Sequence, residues 1–307
     1  MAFASTLLLA LVTIAFPGEG QRFPFLSKCY ALGSTESLTT NLLVNGQSVS
    51  VSRTGAWATQ IDVTVGTNTI CAGDCQRTFI VASRSTEPSQ PERVYSKLEY
   101  AADVPRSRST NRKPSDLTIV LDAGHGGQDS GALSPHGLPE KDANLRLTRA
   151  VAAHLRAFGF KVLLTRETDI FIPLYDRPKL AHSSSADAFI SIHHNAPGYA
   201  NNPLTSRYFA VYAWNEIGEQ LAQAISSHAN AAKLGLENKG VLHANFAVTR
   251  NPEIPCCLIE ADFVTHPEGE FAIWGDVAHR EKLAKAIAEG ISAWACPSIA
   301  IPPKRGL

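Results

Sequence analysis

Three apolar runs in the second half of the chain end in side chains able to hold a metal or move a proton. The run beginning at Leu117 leads into Asp122-Ala123-Gly124-His125-Gly126-Gly127, the next into Ser191-Ile192-His193-His194-Asn195, and a third carries Glu260 near its end. Glu140 stands between the first two, where an amphipathic stretch begins. Two imidazoles and a carboxylate leave one position of a tetrahedral zinc site open to water, the pattern of a hydrolytic centre. A further carboxylate nearby is then free to take that water's proton. His193 and His194 cannot both serve, because neighbours on a strand point to opposite faces.

Each element has a plainer use. A Gly-rich turn after a strand can cradle phosphate, but this one lacks the fuller glycine fingerprint and the lysine of a P-loop, so a tight turn is its default. A histidine pair at a strand end can be a surface feature. Glu260 resists such a reading: it sits inside an apolar strand, where a carboxylate is costly unless paired or working.

The elements that must position these residues alternate strand and helix from Leu117 to Trp294, the grammar of an α/β domain whose sites gather at the strands' C-terminal ends. LTIVLDAG, KVLLTR, ADAFISIHHN, RYFAVYAW and IPCCLIEADF read as strands. The first helix places Leu147, Val151, Leu155 and Phe158 on one face, with Gly159 as its C-terminal stop. NEIGEQLAQAISSHANAAKLG is a second helix, and the last turns Leu283, Ile287, Ile291 and Trp294 inward. The expected fold is a mixed, largely parallel sheet flanked by helices over 116–296, preceded by a small all-β, sandwich-like domain.

That preceding block, 28–84, alternates apolar and polar residues with Asn45-Gly46 as a hairpin turn and Trp57 as its one candidate for an aromatic platform. It is expected to contact wall polymer or a protein, or to serve as a spacer. Residues 85–115 have the Ser, Pro and Arg content of a flexible linker, and 297–307 of a loose tail. The apolar run Leu7 to Phe16 has the length of an export signal, which sets 1–20 as a signal peptide, although no basic residue precedes it; a buried strand is the alternative. No other stretch could span a membrane. The 307 residues are 44% apolar, with a formal net charge of zero, which argues against nucleic acid as a partner. Of the six cysteines, Cys71 with Cys75 or Cys29 is the expected staple in an exported chain.

Five ordered motifs, IVLDAGHGGQDSGA, GLPEKDANL, LTRETD, ADAFISIHHNA and PCCLIEADFVTHPE, together resemble the zinc-dependent N-acetylmuramoyl-L-alanine amidases of the cell-separation, sporulation and endolysin type. The resemblance implies zinc on His125, Glu140 and His193, with Glu260 as catalytic base, and so selects His193 over His194. It implies peptidoglycan as substrate, cleavage between N-acetylmuramic acid and L-alanine, and a periplasmic or secreted enzyme. A zinc peptidase cutting another wall amide, or a silent wall-binding protein, are the alternatives. Asp122 and Asn195 are candidates to orient the ligands. Arg166 and Arg177 are candidates to bind peptide carboxylates, with pairing to Glu167 and Asp176 as the plainer use. Ala123 stands where the family usually has Pro, and Asp262, where it has Gly, is expected to raise the pKa of Glu260. The interval from Asn195 to Glu260 is too short for the inserted helix that plugs some relatives, so an open site is expected.

Overall fold

The computed structural model describes residues 11–36, 41–83, 112–251 and 253–297. The first unit consists of β1 (Val12–Phe16), β2 (Arg22–Phe23), β3 (Lys28–Thr35), β4 (Asn41–Val44), β5 (Gln47–Ser50), β6 (Ala56–Asp62), β7 (Gly66–Ala72) and β8 (Cys75–Val81). They form two sheets, ordered β1-β3-β6 and β2-β8-β7-β4-β5, around one core that includes Phe16, Leu32, Trp57, Ile70 and Phe79. The hairpin expected at Asn45-Gly46 joins β4 to β5, and both residues have positive φ, 49° and 78°, as that two-residue turn requires. Trp57 is fully buried against Gly33, where a Cβ would lie 2.5 Å from the indole, so it offers no exposed platform.

Two expectations change here. The second half of the run read as an export signal is strand β1, paired antiparallel with β3, and it buries Ile14 and Phe16. Signal h-regions and buried strands share one composition, and cleavage near residue 20 would strip this strand from the core. Among the described residues the strands of this unit begin at Val12, ahead of the expected boundary at 28. The cysteine staple is also absent: all six thiols are free. Cys75 pairs with Ala72 across the β7–β8 hairpin, which sets Cys71 on the opposite face of the ladder. Most of the expected linker and tail, 84–111 and 298–307, lies outside the described residues.

The second unit contains β9 (Thr118–Ala123), α1 (Glu140–Ala157), β10 (Lys161–Leu164), α2 (Lys179–Ser183), β11 (Ala188–Asn195), β12 (Tyr208–Ala213), α3 (Glu216–Ala231), β13 (Glu237–His243), β14 (Cys256–Phe263), α4 (Pro267–Glu270) and α5 (Val277–Ala295). The sheet order is β10-β9-β11-β14-β12-β13, parallel except where β12 meets β14. Near-continuous apolar runs such as TIVLDA are what a strand covered on both faces needs. Ile119, Leu121, Ile190, Ile192 and Ile259 face α1, α3 and α5 through Leu147, Val151, Ile225, Leu283 and Ile287. Val120, Phe189, Cys256 and Leu258 take the other face, with Ala181 of α2 and Val248. This alternation sends Asp122, Ser191, His193 and Glu260 to the α2 side, and His194 to the side of α1. No helix among the described residues is long and apolar enough to cross a membrane.

Candidate metal centre

Gly124 continues the β9 ladder, its N–H donating to Ile192 O at 3.0 Å, before the chain turns sharply. His125 has φ 60°, a conformation uncommon for a side-chain-bearing residue, and Gly126 and Gly127 follow with φ 131° and 57°. Two buried arginines hold that turn. Arg166 donates to Ala123 O (2.9 Å), Gly124 O (2.9 Å) and Lys141 O (2.8 Å). Arg177 donates to Asp122 Oδ1 (2.9 Å), Ala123 O (2.9 Å) and His125 O (2.8 Å). With their donors spent on backbone and on Asp122, neither is presented to a peptide carboxylate, and neither makes the expected pair with Glu167 or Asp176. Their task is to fix His125. Asp122, wholly buried, accepts from Arg177, Thr165 Oγ1 (2.6 Å) and Ser191 Oγ (2.7 Å), so it supports the loop through Arg177.

Glu140 opens α1, where the positive end of the helix dipole favours a carboxylate. Its Oε2 lies 3.3 Å from His125 Nε2 and its Oε1 lies 3.2 Å from His193 Nδ1. One ligand atom from each of the three residues falls within 4.8 Å of the others, the spacing of a metal-holding group. Two glycines make room: a Cβ on Gly124 would come within 2.2 Å of the His193 ring, and one on Gly131 within 2.6 Å of Glu140 Oε2. Two nitrogens and one oxygen are the donor set of a catalytic zinc site, and the residues present fit that ion. Burial alone would raise the Glu140 carboxyl, but both imidazoles outweigh it and hold the group well below the usual range. Burial opposes a charge on His125, yet its bonds to Glu140 and Asp129 raise it to about 9.

Asp129 escaped the sequence reading. Its Oδ2 lies 2.8 Å from His125 Nδ1, the carboxylate–histidine arrangement that fixes an imidazole's tautomer and leaves Nε2 for a metal. Asn144 escaped it too. One turn beyond Glu140, its Nδ2 donates to Glu140 Oε1 (3.0 Å) and to Gly124 O (3.2 Å). The available signal was spacing, since each lies four residues past a ligand.

Glu260 sits beside His193 in register on the neighbouring parallel strand, about 4.8 Å away along the hydrogen-bonding direction. Its Oε2 is buried without a hydrogen-bond partner. Burial, and then the charge of Glu140, push its pKa well above the usual carboxylate range. Asp262 is not a cause of this shift, contrary to expectation. The β11–β14 register slips between His193 and Asn195, placing an extra residue on β14, and Asp262 is clasped by Arg207 through Nε (3.1 Å) and Nη2 (3.0 Å).

His194 points away from the group. It is buried on the α1 side, bonded through Nδ1 to Asn144 Oδ1 at 2.8 Å, and burial lowers its pKa to about 4. Asn195 touches no ligand; its Oδ1 accepts from Ala196 N at 2.8 Å, ordinary loop bonding. Between Asn195 and Glu260 the described residues hold one long helix, α3, which packs into the core with α5.

An α/β sheet with a His-Glu-His group that could hold a metal, and an unpaired buried carboxylate beside it, has the donor set of a hydrolytic site. A family model described as N-acetylmuramoyl-L-alanine amidase matches residues 119–293, and the chain belongs to that family. The N-acetylmuramoyl-L-alanine amidase AmiA of Escherichia coli (strain K12) is 33% identical over 222 residues, covering 57% of this chain and 75% of that protein. The probable cell wall amidase LytH of Staphylococcus epidermidis is 35% identical over 196 residues, 62% of this chain and 63% of the relative. Among solved structures, the amidase AmiC2 of Nostoc punctiforme matches with TM-score 0.54 and 34% identity over 58% of this chain and 96% of that one.

Proposed function

We propose that this chain is a zinc-dependent peptidoglycan amidase that hydrolyses the bond between the lactyl group of N-acetylmuramic acid and L-alanine of the stem peptide. The reading rests above all on a buried, unpaired Glu260 carboxylate in register with His193, in a chain of this family. His125, Glu140 and His193 would hold the ion, His125 steadied by Asp129 and by the Arg177 bond to its carbonyl. Zinc, when bound, polarises the scissile carbonyl and lowers the pKa of water toward neutrality.

Glu260 accepts the proton of the attacking water at its unpaired oxygen and passes it to the departing amine. Glu260 must be ionised to do so, and a cation held beside it would offset the burial and the Glu140 charge that raise its pKa in the metal-free chain. The buried arginine clamps keep His125 in its left-handed conformation without contacting substrate.

A peptidoglycan substrate supports a location in the cell envelope, periplasmic or secreted. The interval between Asn195 and Glu260 supports a site that needs no activator. Digestion of purified sacculi by the wild-type protein, alone and with zinc, should release free L-alanine amino termini and leave glycan strands intact, whereas Glu260→Ala should release no such termini. New reducing ends would reject the reading, as would new amino termini at another stem-peptide bond or no release at all. Dependence on a second protein would reject the open site.

A further inference from the structure

The β module does not stand apart from the catalytic unit. Strand β1 covers β3 only as far as the Phe16–Leu32 pair, so Tyr30 has an uncovered N–H on that edge. It donates to Tyr199 O at 2.9 Å, and Gln60 Nε2 of β6 donates to the next carbonyl, Ala200 O. The Tyr199 ring packs against Phe16 (centroids 5.8 Å apart, planes at 14°), edge-on to Phe23 (5.2 Å) and beside Tyr30 (6.3 Å). A second contact places the Arg53 guanidinium 4.0 Å over the ring of Phe271, the residue after α4.

Both contacted segments follow strands that carry site residues. The loop 196–207 leaves β11 after His193, and α4 with Phe271 follows β14 after Glu260. The loop's own bonds are short-range turns, Asn201 N to Gly198 O and Thr205 N to Asn202 O. Its ties to the catalytic unit gather at its far end, where Arg207 clasps Asp262. The stretch around Tyr199 is held from the module's side. His193 and Glu260 themselves lie in the sheet ladder and do not need that support.

We infer that the β module is a brace acting in cis: it grips Tyr199 and Ala200 and so sets the conformation of loop 196–207 at the rim of the site where substrate must enter. Tyr199 and Gln60 are positioning residues, and neither touches the reacting atoms. Offset and edge-on aromatic packing with two backbone anchors is more than a passing contact between domains, which by default move relative to one another. The module then bears on substrate binding more than on the chemical step, since it fixes the loop and leaves the metal group alone. The kinetic half of this inference rests on the proposed amidase activity; the structural half does not.

The full chain serves for the test, as wild type, Tyr199→Ala, Tyr199→Phe and the double variant Arg53→Ala/Gln60→Ala, which alters only the module's surface. Amide exchange in 196–207 should quicken about tenfold in Tyr199→Ala and in the double variant, with β9, β11 and β14 unchanged. On a soluble wall fragment KM should rise about three- to tenfold and kcat change by less than about twofold. Tyr199→Phe should behave as wild type on both counts, because packing and the backbone bond survive. Unchanged exchange in 196–207 overturns the brace. A loosened loop with unaltered KM overturns its role at the site. If Tyr199→Ala loosens the whole sheet, the double variant decides. A wild-type protein inactive on wall fragments would refute the proposed activity, while the exchange measurements would still decide the brace.

Discussion

Glu140 at the start of α1 and Glu260 on β14 are both buried at the same site, yet their surroundings drive them in opposite directions. Glu140 lies between two imidazoles, with bonds from Asn144 Nδ2 and from the backbone of Ala132 and His194, and it stays ionised. Glu260 has an oxygen without a partner, and burial with its neighbour's charge favours the protonated form. One residue type therefore supplies two functions: a fixed anion suited to a cation, and a carboxyl suited to exchange a proton. Such divergence between neighbouring acids assigns the roles more securely than either residue alone.

Glu260→Gln breaks the comparison most severely. It keeps the shape and removes the proton carrier, so kcat should fall by about 10²- to 10⁴-fold with zinc content unchanged. While the amide's own polar atoms stay buried, the same change removes a carboxyl that at pH 8 must be either protonated or buried as an anion. The urea midpoint at pH 8 should therefore rise as activity is lost. A variant that is inactive and also less stable would mean that Glu260 serves the fold rather than the reaction.

Asp129→Asn probes the other side more gently. It keeps a polar group near His125 Nδ1 but removes the charge, and supporting residues of this kind typically contribute about 10- to 100-fold in metal affinity. Zinc affinity measured by competition with a chelator should weaken within that range, with the protein still folded. Unaltered affinity would show that the arginine clamps alone suffice to orient His125.

Local pattern made the catalytic unit legible. Apolar runs and 3.6-residue periodicity gave the strands β9, β10, β11, β12 and β14 and the helices α1, α3 and α5, and the motif residues His125, Glu140 and His193 converge as the pattern required. What escaped depends on which distant groups meet. Strand β13, ENKGVLH, is an edge strand whose apolar residues, Val241 and Leu242, are adjacent rather than alternating. Arg166 and Arg177 look like substrate-binding residues until their donors are traced to backbone carbonyls of the His125 turn. Strand β1 shares its composition with a signal sequence, and only pairing with β3 separates the two. The docking of Tyr199 on the module joins positions too far apart in the chain for periodicity to register.

The smallest effect is a pH dependence of the metal-free chain, and its direction follows from the same contrast. His125 titrates near 9 when folded against an ordinary 6.5, so the stability it contributes is complete below about pH 6.5 and is lost as pH climbs through 9. Glu140, held below its ordinary 4.5, contributes above that value and loses its contribution as acid is added. Glu260 is raised, so above pH 4.5 the unfolded chain ionises it while the folded chain resists, and stability again falls as pH rises. His194, held down to about 4 by burial, opposes this below about pH 6.5, where the unfolded chain takes up its proton and the folded chain resists, so the metal-free protein should be most stable near pH 6.5 and weaken toward pH 9. Zinc competes with the imidazole proton, so the zinc-loaded chain should gain stability relative to the metal-free one across that interval. Urea midpoints of both forms at pH 5, 6.5, 8 and 9 test this. A flat or rising metal-free series from pH 6.5 to 9 would break the assignment of His125 to the Glu140 side, and a shallower decline in Glu260→Gln would isolate the second carboxyl's share.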